Sequence, residues 1–116
     1  MPRRAHVDLA QVSRLEDLLG MPLGEIIGSL VTSISEQIAE IERALDAGRP
    51  SDAVQPAHRC RNDALMIGAE PLLAALTDVE AASRRCELEP ARSALARLKT
   101  IWPATRDELE RASREP

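Results

Sequence analysis

The sequence predicts an all-α protein, an antiparallel up-down-up-down four-helix bundle with a short extra N-terminal helix. Three observations predict it. The 116 residues are 44% hydrophobic but only 1% aromatic, with one Trp and no Phe or Tyr, so the core must be built from Leu, Ile, Val and Ala, which suits packed helices better than strands. Apolar residues recur at alternating steps of three and four. Gly and Pro fall between the periodic stretches with few residues to spare, and short connections make consecutive helices antiparallel neighbours. The length is that of one domain, 1–116, with an ordered core from about residue 7 to 112 and disordered termini.

The first helix is read from Val7 to Leu19, with Asp8 as N-cap and Leu9, Val12, Leu15, Leu18 and Leu19 at helical spacing; Gly20 and Pro22 end it. The second has the clearest period in the chain: Leu23, Ile27, Leu30, Ile34, Ile38, Ile41 and Leu45 form a seam about six turns long. Gly24 and Gly28 on it are either tolerated drift or, with Ser35, a stripe where a neighbouring helix comes close. Gly48, Pro50 and Ser51 then make a stop, a turn and a new N-cap.

The third helix covers Ser51 to Ile67 and ends at Gly68, and the fourth opens with Pro71 in its first turn and carries Leu72, Leu76, Val79, Ser83 and Cys86 on one side. The fifth follows Pro90 through Leu95, Leu98, Trp102, Thr105 and Leu109. Pro103 inside that pattern predicts a kink or break near Trp102, which itself reads as a core or groove anchor for the last helix. His6 falls in a frayed N-terminus, and Glu80 reads as a helix-surface carboxylate.

Composition excludes several functions. Fifteen Lys and Arg against nineteen Asp and Glu give a net charge of −4, and there are no aromatic platforms for stacking bases, so nucleic acid is set aside. The longest uncharged stretch, Ile26 to Ser35, is far shorter than the ~20 residues that span a bilayer, and no apolar segment follows the charged start, so the expected location is the cytoplasm, without membrane contact. Cys60 and Cys86 are too few for a disulfide framework and lack the spacing of a zinc site; both are expected to pack as small apolar residues. No Gly-rich phosphate loop or metal-ligand cluster is present in the sequence, so no cofactor and no metal are expected. Almost all basic residues are Arg, and with the many Ala residues this suggests a GC-rich bacterial gene.

The candidate chemistry lies on the third helix. At about 100° per residue, Val54, Arg61, Asn62 and Leu65 project within roughly 60° of His58, whereas Ala57, Cys60, Ala64 and Ile67 lie on the other side. The small apolar residues therefore mark the core face, and His58 points outward with Arg61 close enough to share an anion. A solvent-facing imidazole keeps a neutral, nucleophilic fraction near pH 7 and can accept a phosphoryl group. An adjacent guanidinium would hold the phosphoryl charge, and Val54 and Leu65 would supply an apolar rim for a docking protein.

The segment AHRCRNDALMIGAEPLL, with Val79-Glu80 beyond it, resembles the histidine-containing phosphotransfer (HPt) domain of bacterial two-component phosphorelays. That family's pattern runs from its phosphorylated His as H-x-L-K-G, then G-A-x-x-L, then L-E. Here His58 is followed at plus three by Arg61, at plus ten by Gly68-Ala69, then by Leu72 and by Val79-Glu80, with no insertion. The chain departs from the pattern where L-K-G is Cys60-Arg61-Asn62, where Asp63 replaces a small residue, and at Pro56, two residues before the His. If the regular helix starts at Pro56, with Gln55 near the cap, His58 falls in a first turn whose free N–H groups favour an anion.

The resemblance implies a phosphocarrier rather than a turnover enzyme. His58 would be the phosphoryl acceptor and Arg61 would stabilise the transferred group, while Val54, Gln55, Arg59, Asn62 and Leu65 would line the contact with a response-regulator receiver domain or a hybrid histidine kinase. The Mg²⁺ would belong to the receiver. A monomer is expected. Asn62, where the family has Gly beside the docking partner, and Pro56 also allow a degenerate module that docks a receiver or kinase without phosphotransfer, and the Gly24/Gly28 face allows a plain dimerisation module.

Overall fold

The computed structural model describes residues 6–114; residues 1–5 and 115–116, on which the expectation of disordered termini falls, lie outside it. Five α-helices follow in order: α1 Leu9–Leu19, α2 Leu23–Asp46, α3 Val54–Met66, α4 Glu70–Arg84 and α5 Leu88–Arg114, with a 3₁₀ turn, Pro50–Ala53, leading into α3. α2 packs on α3 and α5, and α4 packs on the same two helices, so the four long elements close a square around the core. With short connections, this is the antiparallel bundle expected from the sequence, and there is no strand among the described residues.

The seam on α2 is the backbone of that core. Ile27, Leu30, Ile34, Ile38, Ile41 and Leu45 are buried, Ile26 joins them, and Leu23 packs partly buried at the edge. Across from it, α3 presents small residues: Ala57, Cys60 and Ala64 are fully buried. Small side chains let a helix lie close to its neighbours, and the large residues of α2, α4 and α5 fill the space between. Trp102 is buried in α5 as expected.

Several local expectations are corrected. Ser51 is not an N-cap: the helical turn begins at Pro50, whose fixed φ suits a first helical position, and Arg49 precedes it with no side-chain cap. The 3₁₀ turn passes directly into α-helix at Val54, so the regular helix does not start at Pro56. Pro56 is third in α3, where its missing N–H costs little, and His58 lies beyond the first turn. Of the kink or break expected at Pro103, the break is absent: α5 runs through the proline, which is exposed, to Arg114.

Cys86 is exposed rather than packed in the core. α4 ends at Arg84, and Cys86 turns left-handed at φ 56° while its N–H donates to the Ser83 carbonyl and the Glu87 N–H donates to the Ala82 carbonyl. This is the Schellman arrangement, which rotates the residue off the helix face that the periodicity assigned to it.

α1 is bent 109° from α2 and closes one end of the bundle. Asp8 caps it as expected, its carboxylate accepting from the Gln11 N–H. Val12 and Leu15 are buried, but Leu9, Leu18 and Leu19 are exposed, because a helix lying across the end of a bundle buries a narrower stripe than one inside it. The Asp8 N–H donates to the Ile67 carbonyl at 3.0 Å, and Gln11 Nε2 donates to the carbonyls of Leu65 and Met66 at 2.6 and 2.9 Å. Glu16 reaches the other way and accepts from the Leu23 N–H, capping α2 where Pro22 cannot. His6 is not frayed: its backbone N–H and its ring both bond to Glu108 on α5.

Gly68 makes the α1–α3 junction close-fitting. Its φ is +61°, and a Cβ there would sit 2.6 Å from Asp8 Cβ and 2.9 Å from Gln11 Oε1. Gly24 and Gly28 show the opposite: both are exposed and no atom lies within 4 Å of a Cβ built on either, so no helix of this chain approaches them.

In chemical denaturation, Gly68→Ala should therefore cost about 2 kcal/mol from strain and overpacking, while Gly28→Ala should add up to about 1 kcal/mol of helix stability. Equal effects at the two sites would contradict the junction described. Burial, with a smaller contribution from the charge of Asp63, pushes the Cys60 thiol up to about 12. A thiol titration with Ellman's reagent should thus count one reactive cysteine, Cys86, in the native protein and both cysteines in denaturant.

Candidate functional site

The expected face of α3 is realised. His58 has a side chain 49% exposed, with Gln55, Asn62 and Leu65 exposed around it and Val54 and Arg61 partly buried. The core face behind it is the Ala57, Cys60, Ala64 stripe, followed by Ile67 just past the helix end, all fully buried. His58 thus projects toward solvent from a helix whose inner face is made of small residues. The groove along α2, bounded by Glu25, Thr32, Glu36 and Arg59, does not include it.

His58 and Arg61 do share an anion, and it is Glu80. This carboxylate was expected at the surface, but it is 5% exposed, on α4 directly facing α3. Its Oε1 accepts from Arg61 Nη1 at 2.9 Å. Its Oε2 accepts from Arg84 Nε at 3.0 Å and Nη2 at 2.6 Å, and lies 3.3 Å from His58 Nδ1. The periodicity of α4 puts Glu80 beside the buried Val79, and the turn of the helix aims it at the α3 face rather than at water.

Burial alone would raise the Glu80 pKa. The hydrogen bonds and charges of Arg61 and Arg84 outweigh it and hold the carboxyl below the usual glutamate range, so Glu80 is ionised at neutral pH. An ionised carboxylate only accepts hydrogen bonds, so it favours the imidazole tautomer with the proton on Nδ1 and the lone pair on Nε2, at the opposite edge of the ring. One oxygen lies against the histidine while two guanidiniums hydrogen-bond the anion.

Of the other residues singled out in the sequence, Arg59 turns away from His58 to pair with Glu40 on α2 at 2.9 Å. Asp63, as its helical angle requires, lies on the α2 side, where Ser33 Oγ donates to it at 2.8 Å and Gln37 Nε2 donates to Ser33 at 2.7 Å. That polar bridge pins α3 to α2. The two residues that sequence reasoning missed are Glu80 and Arg84; their signal was the placement of Val79-Glu80 at a fixed distance from His58, with Arg84 one helical turn further on.

The Hpt domain family model matches residues 25–115. No curated protein matches the chain. Among solved structures, the crystal structure of histidine-containing phosphotransfer protein B from Pseudomonas aeruginosa PAO1 is similar, with a TM-score of 0.86 over 96% of each chain at 19% sequence identity, a likeness of fold. Because the family pattern spans α2 to α5 and the bundle it describes is the one observed, this chain belongs to the Hpt domain family, the histidine phosphotransfer modules of two-component signalling.

Proposed function

We propose that the protein is a phosphocarrier in which His58 takes a phosphoryl group from the aspartate of a receiver domain and passes it to another. The observation that carries this reading is the contact between His58 Nδ1 and the buried, ionised Glu80. With Nδ1 facing that carboxylate, Nε2 is the nucleophile. Its lone pair forms the N–P bond as the P–O bond of the acyl phosphate breaks, and the bonding electrons return to the receiver's carboxylate. The ring becomes positive in that step, and Glu80 is placed to stabilise it.

In this reading Arg61, beside Glu80, stabilises the transferred group. Val54, Gln55, Arg59, Asn62 and Leu65 meet the partner, which is a receiver domain or a hybrid histidine kinase. Leu65 is 51% exposed, large and apolar, suited to the centre of such a contact. The receiver supplies the Mg²⁺ and the acidic pocket, and the phosphocarrier acts as a monomer. No single helix among the described residues is long and apolar enough to cross a membrane.

Incubation with a phosphorylated receiver and Mg²⁺ should yield an acid-labile, base-stable adduct that is absent from His58→Gln. Receiver binding without any adduct would leave only the docking module. Glu80→Gln should slow adduct formation by about tenfold or more, since a neutral amide neither fixes the tautomer nor balances the positive ring.

The same variant has a pH signature. A carboxyl whose folded pKa is depressed stabilises the fold above its unfolded pKa and loses that stabilisation as pH falls through the folded value. Wild-type stability should therefore drop on acidification below the ordinary glutamate range, as read by denaturant midpoints. Glu80→Gln should be less stable at pH 7, by about 1–3 kcal/mol, and show a flatter acid limb.

A further inference from the structure

The cations of the site gather on one edge of the imidazole. Arg61 and Arg84 bond to Glu80, and His58 Nδ1 lies 3.3 Å from the same carboxylate, all on the α4 side of α3. Nε2, the atom that takes the phosphoryl group in the reading above, is at the other edge. Arg61 acts on a group bound there by its charge across the ring, so direct hydrogen bonds have to come from different side chains.

Helix geometry shows which ones. Counted from His58 at about 100° per residue, Arg61 is turned by about 60° one way, toward α4. Turned the other way are Asn62 by about 40°, Gln55 by about 60° and Arg59 by about 100°. This is the α2 side, where Arg59 pairs with Glu40 and Asp63 accepts from Ser33. Asn62 stands one turn after His58 and Gln55 one turn before it, and positions three or four apart on a helix are within side-chain reach, so the two bracket the Nε2 edge. Arg59, the cation on that side, is already held by Glu40 at 2.9 Å.

The chain has four side-chain amides, Gln11, Gln37, Gln55 and Asn62. Two are used by the fold: Gln11 donates to the carbonyls of Leu65 and Met66, and Gln37 donates to Ser33 and Asp63. Gln55 and Asn62 are exposed and make no side-chain hydrogen bond among the described residues. An amide offers two N–H donors and no charge, so it can meet a phosphoryl oxygen without being drawn to Glu80.

We propose that the side-chain amides of Asn62 and Gln55 are the hydrogen-bond donors that hold the phosphoryl group on Nε2 of His58. The inference rests on the phosphocarrier reading of His58. It gives Asn62, which stands where the family pattern has Gly, a task that glycine has no side chain to perform. The phosphoryl group carries a charge of about −1.5 to −2 and accepts through three oxygens. The two amides reach it from adjacent turns while Arg61 and Arg84 stay with Glu80 behind the ring.

The test is NMR of the full chain phosphorylated with phosphoramidate, a small-molecule donor that transfers its phosphoryl group to the imidazole and releases ammonia. No receiver is present, so docking plays no part. In ¹H–¹⁵N spectra the amide signals of Asn62 and Gln55, assigned with Asn62→Ala and Gln55→Ala, should move on phosphorylation while those of Gln11 and Gln37 stay. In ³¹P spectra the second ionisation of the phosphoryl group should shift upward by about 0.5 unit in each alanine variant, because a donor to the dianion is lost. Asn62→Gln, which keeps a donor, should shift less. Unmoved Asn62 and Gln55 signals, or alanine variants that titrate like wild type, would overturn the inference and leave both residues as partner contacts only. That failure spares the phosphocarrier reading, which falls together with the inference if wild-type His58 forms no phosphohistidine.

Discussion

A single buried carboxylate underlies the His58 face of this protein. Removing an ion from water costs several kcal/mol unless partners compensate, and Glu80 is compensated from two elements at once, by Arg61 of α3 and Arg84 of its own helix. Its ionised state therefore depends on α3 and α4 being docked, and His58 stands against the same carboxylate across that joint. Fold and site meet at one group: whatever separates the two helices also parts His58 from the carboxylate it faces.

The core explains why α3 can carry such a site. Its inward stripe of Ala57, Cys60 and Ala64 brings the backbone close to the neighbouring helices, and the Ser33–Asp63 bridge fixes it against α2. With α2 on one side and α4 on the other, α3 has little freedom to rotate, and rotation is what would carry His58 away from Glu80. Bulk is supplied by α2, α4 and α5; the third helix contributes precision of placement.

Most of the architecture was legible in the sequence because it follows from period and punctuation. The α2 seam, the helix ends at Gly20, Gly48 and Gly68, and the outward direction of His58 all come from spacing along one helix. Misread features are those decided between elements. The Leu9, Leu18 and Leu19 positions look like core until α1 is seen to lie across the bundle end. Cys86 continues the α4 stripe on paper, but the chain has already turned left-handed there. Glu80 is the clearest case: a glutamate's burial is decided by which guanidiniums another helix brings to it, and a helical wheel drawn for α4 alone has no way to include Arg61.

The corner between α1 and the rest of the bundle carries a consequence for what counts as the minimal piece of this chain. The family pattern begins at residue 25, inside α2, yet the last three carbonyls before Gly68 take their hydrogen bonds from Asp8 and Gln11, and Val12 and Leu15 belong to the common core. A chain cut where the family resemblance starts would keep every residue of the histidine site but leave the lower end of its helix open to water. The stretch that the family pattern spans and the stretch that packs as one core are of different lengths here.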